Sequence, residues 1–195
     1  MLKWLAPPSW EDLRSSPEYQ KAKKIAEEFT PTEEVSYQWV YQHALDQYKD
    51  VTETISDLDR KADSMIRYLA PGSGLVSMAA GFIVFSGKHP ELAVIMAIGA
   101  VFIIGAMALS ALAVLPHQQC LAPSVESALA SAVHFKNENH AKGYWATAIQ
   151  MAIEVKAFVA DYKARRIELS YNLFAIALAW LVLATLFALT VNYFF

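Results

Sequence analysis

Three long stretches without a charged residue punctuate the chain, at residues 68–87, 92–115 and 171–195. The second holds 24 residues and the third 25; at about 1.5 Å of helical rise per residue, each exceeds the roughly 30 Å of a bilayer's hydrocarbon core. The first holds 20 and contains Pro71, Gly72, Gly74 and Gly81, which a membrane helix tolerates where neighbouring helices satisfy the freed backbone groups. Only a short link containing Lys88, His89, Pro90 and Glu91 separates the first stretch from the second. Residues 68–115 therefore read as a transmembrane hairpin, and residues 171–195 as a third transmembrane helix.

The polar stretches have their own period. From Glu33, apolar or small residues fall at Tyr37, Tyr41, Ala44, Tyr48, Val51, Ile55, Leu58, Ala62, Met65 and Leu69, in alternating steps of four and three. That spacing is a heptad seam, with charged and amide side chains on its flanks. It predicts a long cytoplasmic helix over residues 33–67 that runs into the first apolar stretch, bent or loosened at a hinge of Pro71 and Gly72. Residues 116–170 predict a short alanine-rich helix up to about Phe135, then a second long helix. There Tyr144, Ala148, Met151, Val155, Phe158, Tyr162 and Leu169 repeat the four-three spacing, with Arg165 on the same line. Pairing the two long helices in parallel, within one subunit or about an oligomer axis, would bury both seams.

Residues 1–32 read as short helices broken by proline. Ser9 with Asp12 resembles a capping box, Ser16 precedes Pro17, and Thr30, Pro31, Thr32 and Glu33 repeat that start signal. The apolar segment from Met1 to Leu5 is suited to filling a cavity or lying on a surface, which makes residues 1–32 a candidate regulatory or plug segment. The predicted class is an all-α membrane protein: three transmembrane helices and a coiled-coil-like cytoplasmic stalk, assembled as an oligomeric bundle.

Composition agrees, with 55% hydrophobic residues and a mean hydropathy of +0.27, values suited to one membrane domain with a modest soluble part. The net charge of −3 carries no basic excess that would suit duplex nucleic acid. The distribution of charge says more. Of 16 lysines and arginines, nine lie in residues 1–67, one is Lys88, and six lie in residues 116–170. The positive-inside rule then puts both polar stretches in the cytoplasm and the C-terminus outside. The single cysteine, Cys120, has no internal disulfide partner, which suits a reducing compartment. The first apolar stretch begins too far along the chain for a cleavable signal peptide.

Candidate chemistry is sparse. Ser73, Ser77 and Gly81 form a small-residue ladder that serves either close helix packing or the lining of a pore. Arg67, Lys163, Arg165 and Arg166 stand near the predicted cytoplasmic boundary, with Arg60 and Lys61 close by; they are either interface anchors or, repeated around an oligomer, rings at a pore mouth that favour anions. Lys21, Lys23 and Lys24 form a basic knot followed by Glu27 and Glu28. The spacing of His117, Cys120, His134 and His140 fits no zinc pattern, and the carboxylate pairs Glu27 with Glu28 and Asp57 with Asp59 sit on polar faces without the burial that acid–base work needs. Neither a metal, a cofactor nor an enzymatic activity is expected.

Asp59, Arg60, Lys61 and Ala62 before a glycine-containing hairpin, then a long amphipathic helix ending in Tyr162, Lys163, Arg165 and Arg166 before a last apolar stretch, resemble the small membrane effectors of bacterial nucleotide-signalled antiphage systems. These include Pycsar transmembrane effectors, SLATT-type proteins and the Hailong channel toxin. The likeness spans residues 56–195; the separate third span departs from the two usual in SLATT-like proteins. It implies an oligomeric channel or membrane-disrupting toxin controlled by a nucleotide or oligonucleotide that a partner nucleotidyltransferase or cyclase makes. The alternative is a membrane-anchored coiled-coil scaffold that recruits a soluble partner. In a Cys120→Ser background, a cysteine placed at Lys88 should react with a membrane-impermeant thiol reagent only from outside the cell, and one at Lys142 only from the cytoplasmic side; labelling of both from one side would overturn the topology.

Overall fold

The computed structural model describes residues 10–32, 34–86, 90–114 and 137–194, and the regular structure among them is helical throughout. In chain order the helices are α1 (Trp10–Arg14), α2 (Pro17–Glu28), α3 (Gln38–Ser86), α4 (Pro90–Val114) and α5 (Glu138–Phe194). The expected capping box at Ser9, the segment from Met1 to Leu5, the link at Lys88, the alanine-rich helix before Phe135, and the side chains of His117, Cys120 and His134 lie outside the described residues.

Local signals set several ends. Ser16 caps α2, its hydroxyl accepting from the Tyr19 amide at 3.3 Å, and Pro17 takes the first helical position, where no donor is needed. Asn137 caps α5 by accepting from the His140 amide at 2.8 Å. In the first turn of α5, the hydrogen bond from Lys142, reinforced by its charge, holds the Glu138 carboxyl below its ordinary value.

The start of α3 corrects the expectation of a helix from Glu33. Tyr37 donates its backbone N–H to Asn139 Oδ1 at 2.7 Å, and Asn139 Nδ2 donates to the Val35 carbonyl at 2.6 Å. The Thr32 amide donates to the Tyr37 phenol oxygen at 3.0 Å. The Thr32 hydroxyl, 3.5 Å from that oxygen, and the amide together pull the phenol below its ordinary value. Contacts with α5 thus hold the groups that a helical turn would otherwise have used. Once begun, α3 is helical through Pro71 and Gly72. α5 likewise continues past residue 171, where the sequence suggested a separate helix, because neither proline nor glycine follows Gly143 and Lys163, Arg165, Arg166 and Glu168 are good helix formers.

The chain forms two compact units, Met1–Asp57 with Pro116–Tyr162, and Leu58–Leu115 with Lys163–Phe195. In the first, α3 and α5 run parallel: Asn139 meets Val35 and Lys156 meets Thr52, both at a separation of 104 residues. Ala44 packs among Ala146, Ile149 and Ile153, bordered by Tyr41, Leu45, Tyr48 and Val51. Small side chains at the contact allow close approach of the two backbones.

In the second unit Asp59 meets Lys163, again 104 residues on, so this pairing is parallel too. α4 runs antiparallel to α5, since Ser110 bonds to Ser170 while Trp180 Nε1 donates to the Ile95 carbonyl at 2.7 Å. Met65, Leu69, Ile103, Ala106 and Ala177 form the core, and Leu58, Ala62, Ala113 and Ile167 form a second cluster. α4 and α5 are the two described helices long and apolar enough to cross a membrane. Their outward faces carry Val94, Val101 and Ile104, and Val182, Leu183 and Leu186, all exposed.

The seam read on α3 is realised, every one of its positions being buried or half-buried. The seam read on α5 needs correction. Val155 is buried as expected, but Tyr144, Arg165 and Leu169 are exposed, and Ala148, Met151, Phe158 and Tyr162 only half-buried. The interior line is instead Ile149, Lys156, Lys163, Ser170, Ala177 and Ala184, seven residues apart and all buried. Small side chains occupy its far end, at Ser170, Ala177 and Ala184, and two lysines its middle. Arg165 therefore stands on an outer face, not on the seam.

Ser170 is fully buried, donating to the Ala106 carbonyl at 2.7 Å and 2.7 Å from the Ser110 hydroxyl. Ser170→Ala should destabilise the chain by about 0.6–2 kcal/mol, lowering the unfolding midpoint in detergent by a few degrees; an unchanged midpoint would count against this bridge.

Candidate functional site

Two places gather functional side chains: the interior line of α5, and a cavity in the first unit. Along α5 the buried groups include cations, whose removal from water must be offset by partners. In the second unit, Lys163 retains only 2% exposure and its ammonium pairs with the Asp59 carboxylate. In the first unit, Lys156 retains 4%; its ammonium donates to the Thr52 hydroxyl at 2.8 Å and lies 4.1 Å from the centre of the Tyr48 ring. The Tyr48 π-face supplies the attraction that a carboxylate supplies to Lys163.

This geometry divides the four residues read as a pore mouth. Lys163 and Arg166 are buried, whereas Arg67 and Arg165 are exposed. Arg67 Nη2 pairs with Asp63 Oδ2 at 2.8 Å, one turn back on α3. Ser73, Ser77 and Gly81 lie on helical backbone of α3, as do Pro71 and Gly72; the side chains of Ser73 and Ser77 and the surroundings of Gly81 lie outside the described residues. His140 is buried near the start of α5. In the basic knot, Lys23 and Lys24 pair with Glu27 and Glu28 at 3.5 and 3.8 Å on an exposed face of α2.

Sequence reading missed Asp59 as the partner of Lys163, and missed the contact between Ser110 and Ser170. The first becomes visible only once the parallel register is known, because Thr52 and Asp59 are seven apart and so are Lys156 and Lys163.

The cavity, of about 320 Å³, lies between α2, α3 and α5 within the first unit. Ala22, Ala44, Gly143 and Ala146 give it small-residue walls, and Phe29 and Tyr37 an aromatic end. The Phe29 ring stands edge-on to Tyr37 (5.4 Å, 80°) and to Tyr144 (5.6 Å, 87°). Glycine at 143 leaves room for the Phe29 ring, since an added Cβ would fall 2.7 Å from Phe29 Cζ and the ring would have to shift. His43, Gln47, Thr147 and Gln150 supply polar atoms, and no lysine, arginine, aspartate or glutamate is among the described lining residues. His43 is stacked on the exposed Trp39 ring, 5.3 Å away and 4° from parallel. Walls contributed by residues more than a hundred positions apart left no signal in the sequence.

Comparison of the chain with protein-family models, curated proteins and solved structures finds no match.

Asp59 keeps 38% side-chain exposure and Lys163 3%, so Asp59→Asn should cost about 2–3 kcal/mol, less than the roughly 3–5 kcal/mol of breaking a fully buried pair. The double change Asp59→Leu with Lys163→Met should recover most of that loss. Unfolding midpoints of the detergent-solubilised variants check this; a double variant no more stable than Asp59→Asn would exclude charge burial as the cause.

Proposed function

We propose that the chain is an oligomeric, anion-preferring ion channel or pore-forming membrane effector that depolarises the inner membrane in antiphage defence, under control of a nucleotide or oligonucleotide. The observation that most supports the membrane part is the polarity of the second unit. Its Ser110 and Ser170 hydroxyls are fully buried against one another while branched aliphatic side chains cover the outside of α4 and α5. That distribution suits a hydrocarbon solvent, in which backbone and hydroxyl groups must find partners internally.

Residues 68–86 of α3 serve as the third span. Tyr68 and Tyr171, exposed to 79% and 47%, suit the level where the headgroups begin, as aromatic side chains with a polar tip do. The N-terminus is then cytoplasmic and the C-terminus outside. In an oligomer Ser73, Ser77 and Gly81 line the axis, and the exposed Arg67 and Arg165 repeat as cationic rings at its mouth; the buried Lys163 and Arg166 contribute through the field they create. Control by a nucleotide from a partner nucleotidyltransferase or cyclase rests on the resemblance to antiphage effectors. No charged side chain is among the described lining residues of the cavity in the first unit, which gives such a ligand no phosphate partner among them.

A second reading, the membrane-anchored coiled-coil scaffold, is favoured by apolar exposure in the first unit, where Trp39 is 73% exposed beside Val35 and Val40. Replacing all three spans by an unrelated anchor would preserve function in a scaffold and abolish it in a channel.

Purified protein in planar bilayers should conduct, at least when residues 1–30 are removed, and Arg165→Glu should shift the reversal potential in a salt gradient away from that of an anion-selective pore. Absence of conductance from both full-length and truncated protein would overturn the channel, and an unmoved reversal potential would remove Arg165 from the mouth.

A further inference from the structure

The cavity of the first unit has a lining specific enough to name a ligand chemistry. We propose that it binds a neutral two-ring aromatic molecule bearing a hydrogen-bond donor, of the indole N–H type. Volume sets the size: an apolar cavity of about 150 Å³ accepts benzene, and this one, at about 320 Å³, has room for two fused rings. Its aromatic end offers both ring edges and ring faces, because Phe29 is held perpendicular to Tyr37. That end is built rather than incidental: Tyr37 is fixed through Thr32 and Asn139, and Gly143 leaves room for the Phe29 ring. The absence of a formal charge among the described lining residues selects a neutral occupant, since an ion entering an apolar cavity loses hydration without compensation.

The hydrogen-bond sense follows from what is already committed. The Thr147 hydroxyl donates its only proton to the Tyr144 carbonyl at 2.8 Å, and Gln150 Nε2 donates to Glu154 Oε1 at 2.8 Å. What Thr147 retains is acceptor capacity alone, while Gln150 keeps its amide oxygen and a second N–H. Both belong to the α5 wall, and beside Thr147 a ligand is favoured if it brings an N–H or O–H. This site is independent of the channel reading, and binding can be measured whether or not the protein conducts.

Titration of the full-length, detergent-solubilised chain with 5-fluoroindole, followed by fluorine NMR, should give saturable binding that unlabelled indole displaces. Its N-methyl derivative should bind about tenfold more weakly, as expected for one hydrogen bond lost. Thr147→Val should weaken 5-fluoroindole by about the same factor and leave the N-methyl derivative unchanged, a contrast that general loss of folding would not produce. A non-saturable signal that indole fails to displace, or equal affinity for the two probes, would overturn the proposal.

Discussion

A lysine ammonium leaves water only if something on a neighbouring helix replaces its hydration, and this requirement fixes how α3 and α5 run beside each other. Lys156 and Lys163 are two helical turns apart on one line of α5, and Thr52 and Asp59 are two turns apart on α3. Sliding the helices by one turn would strand both cations in an apolar interior. Aliphatic contacts such as those of Ala44 with Ala146 and Ile149 discriminate little between registers, whereas a misplaced buried charge costs several kcal/mol. Register in each unit is thus set by polar partners and filled in by hydrocarbon.

The two units differ in what they bury. In the first, Ala44, Ala146, Ile149 and Ile153 form the interior. In the second, aliphatic side chains such as Val101, Ile104, Val182 and Leu183 are turned outward, and the inside includes Ser110, Ser170, Lys163 and Arg166. Close packing at Gly99, Gly105 and Ala106 and the serine bridge hold α4 against α5 there.

The helical class and the seam of α3 were legible because large apolar side chains mark both. The inner line of α5 was not, since pattern reading weights size and hydrophobicity and so favoured Tyr144, Phe158, Tyr162 and Leu169 over Ala146, Ala152, Lys156 and Lys163. Arg165 looked anomalous for the same reason; once the face is rotated it is an ordinary outward arginine. The delayed start of α3 depends on Asn139, more than a hundred residues away, and no local signal carries such information. The cavity is likewise a product of assembly, and its Thr147 hydroxyl is left as an acceptor only because the Tyr144 carbonyl already takes its proton.

The serial spacing of the α5 contacts within the second unit constrains the length of this helix. One additional residue between Lys163 and Ser170 would turn everything beyond it by about 100°, swinging Ser170 off Ser110 and Trp180 off Ile95 together. Seven additional residues would return the side chains to nearly the same face. Insertions and deletions inside this stretch therefore keep the faces aligned only as whole heptads, so its length is quantised.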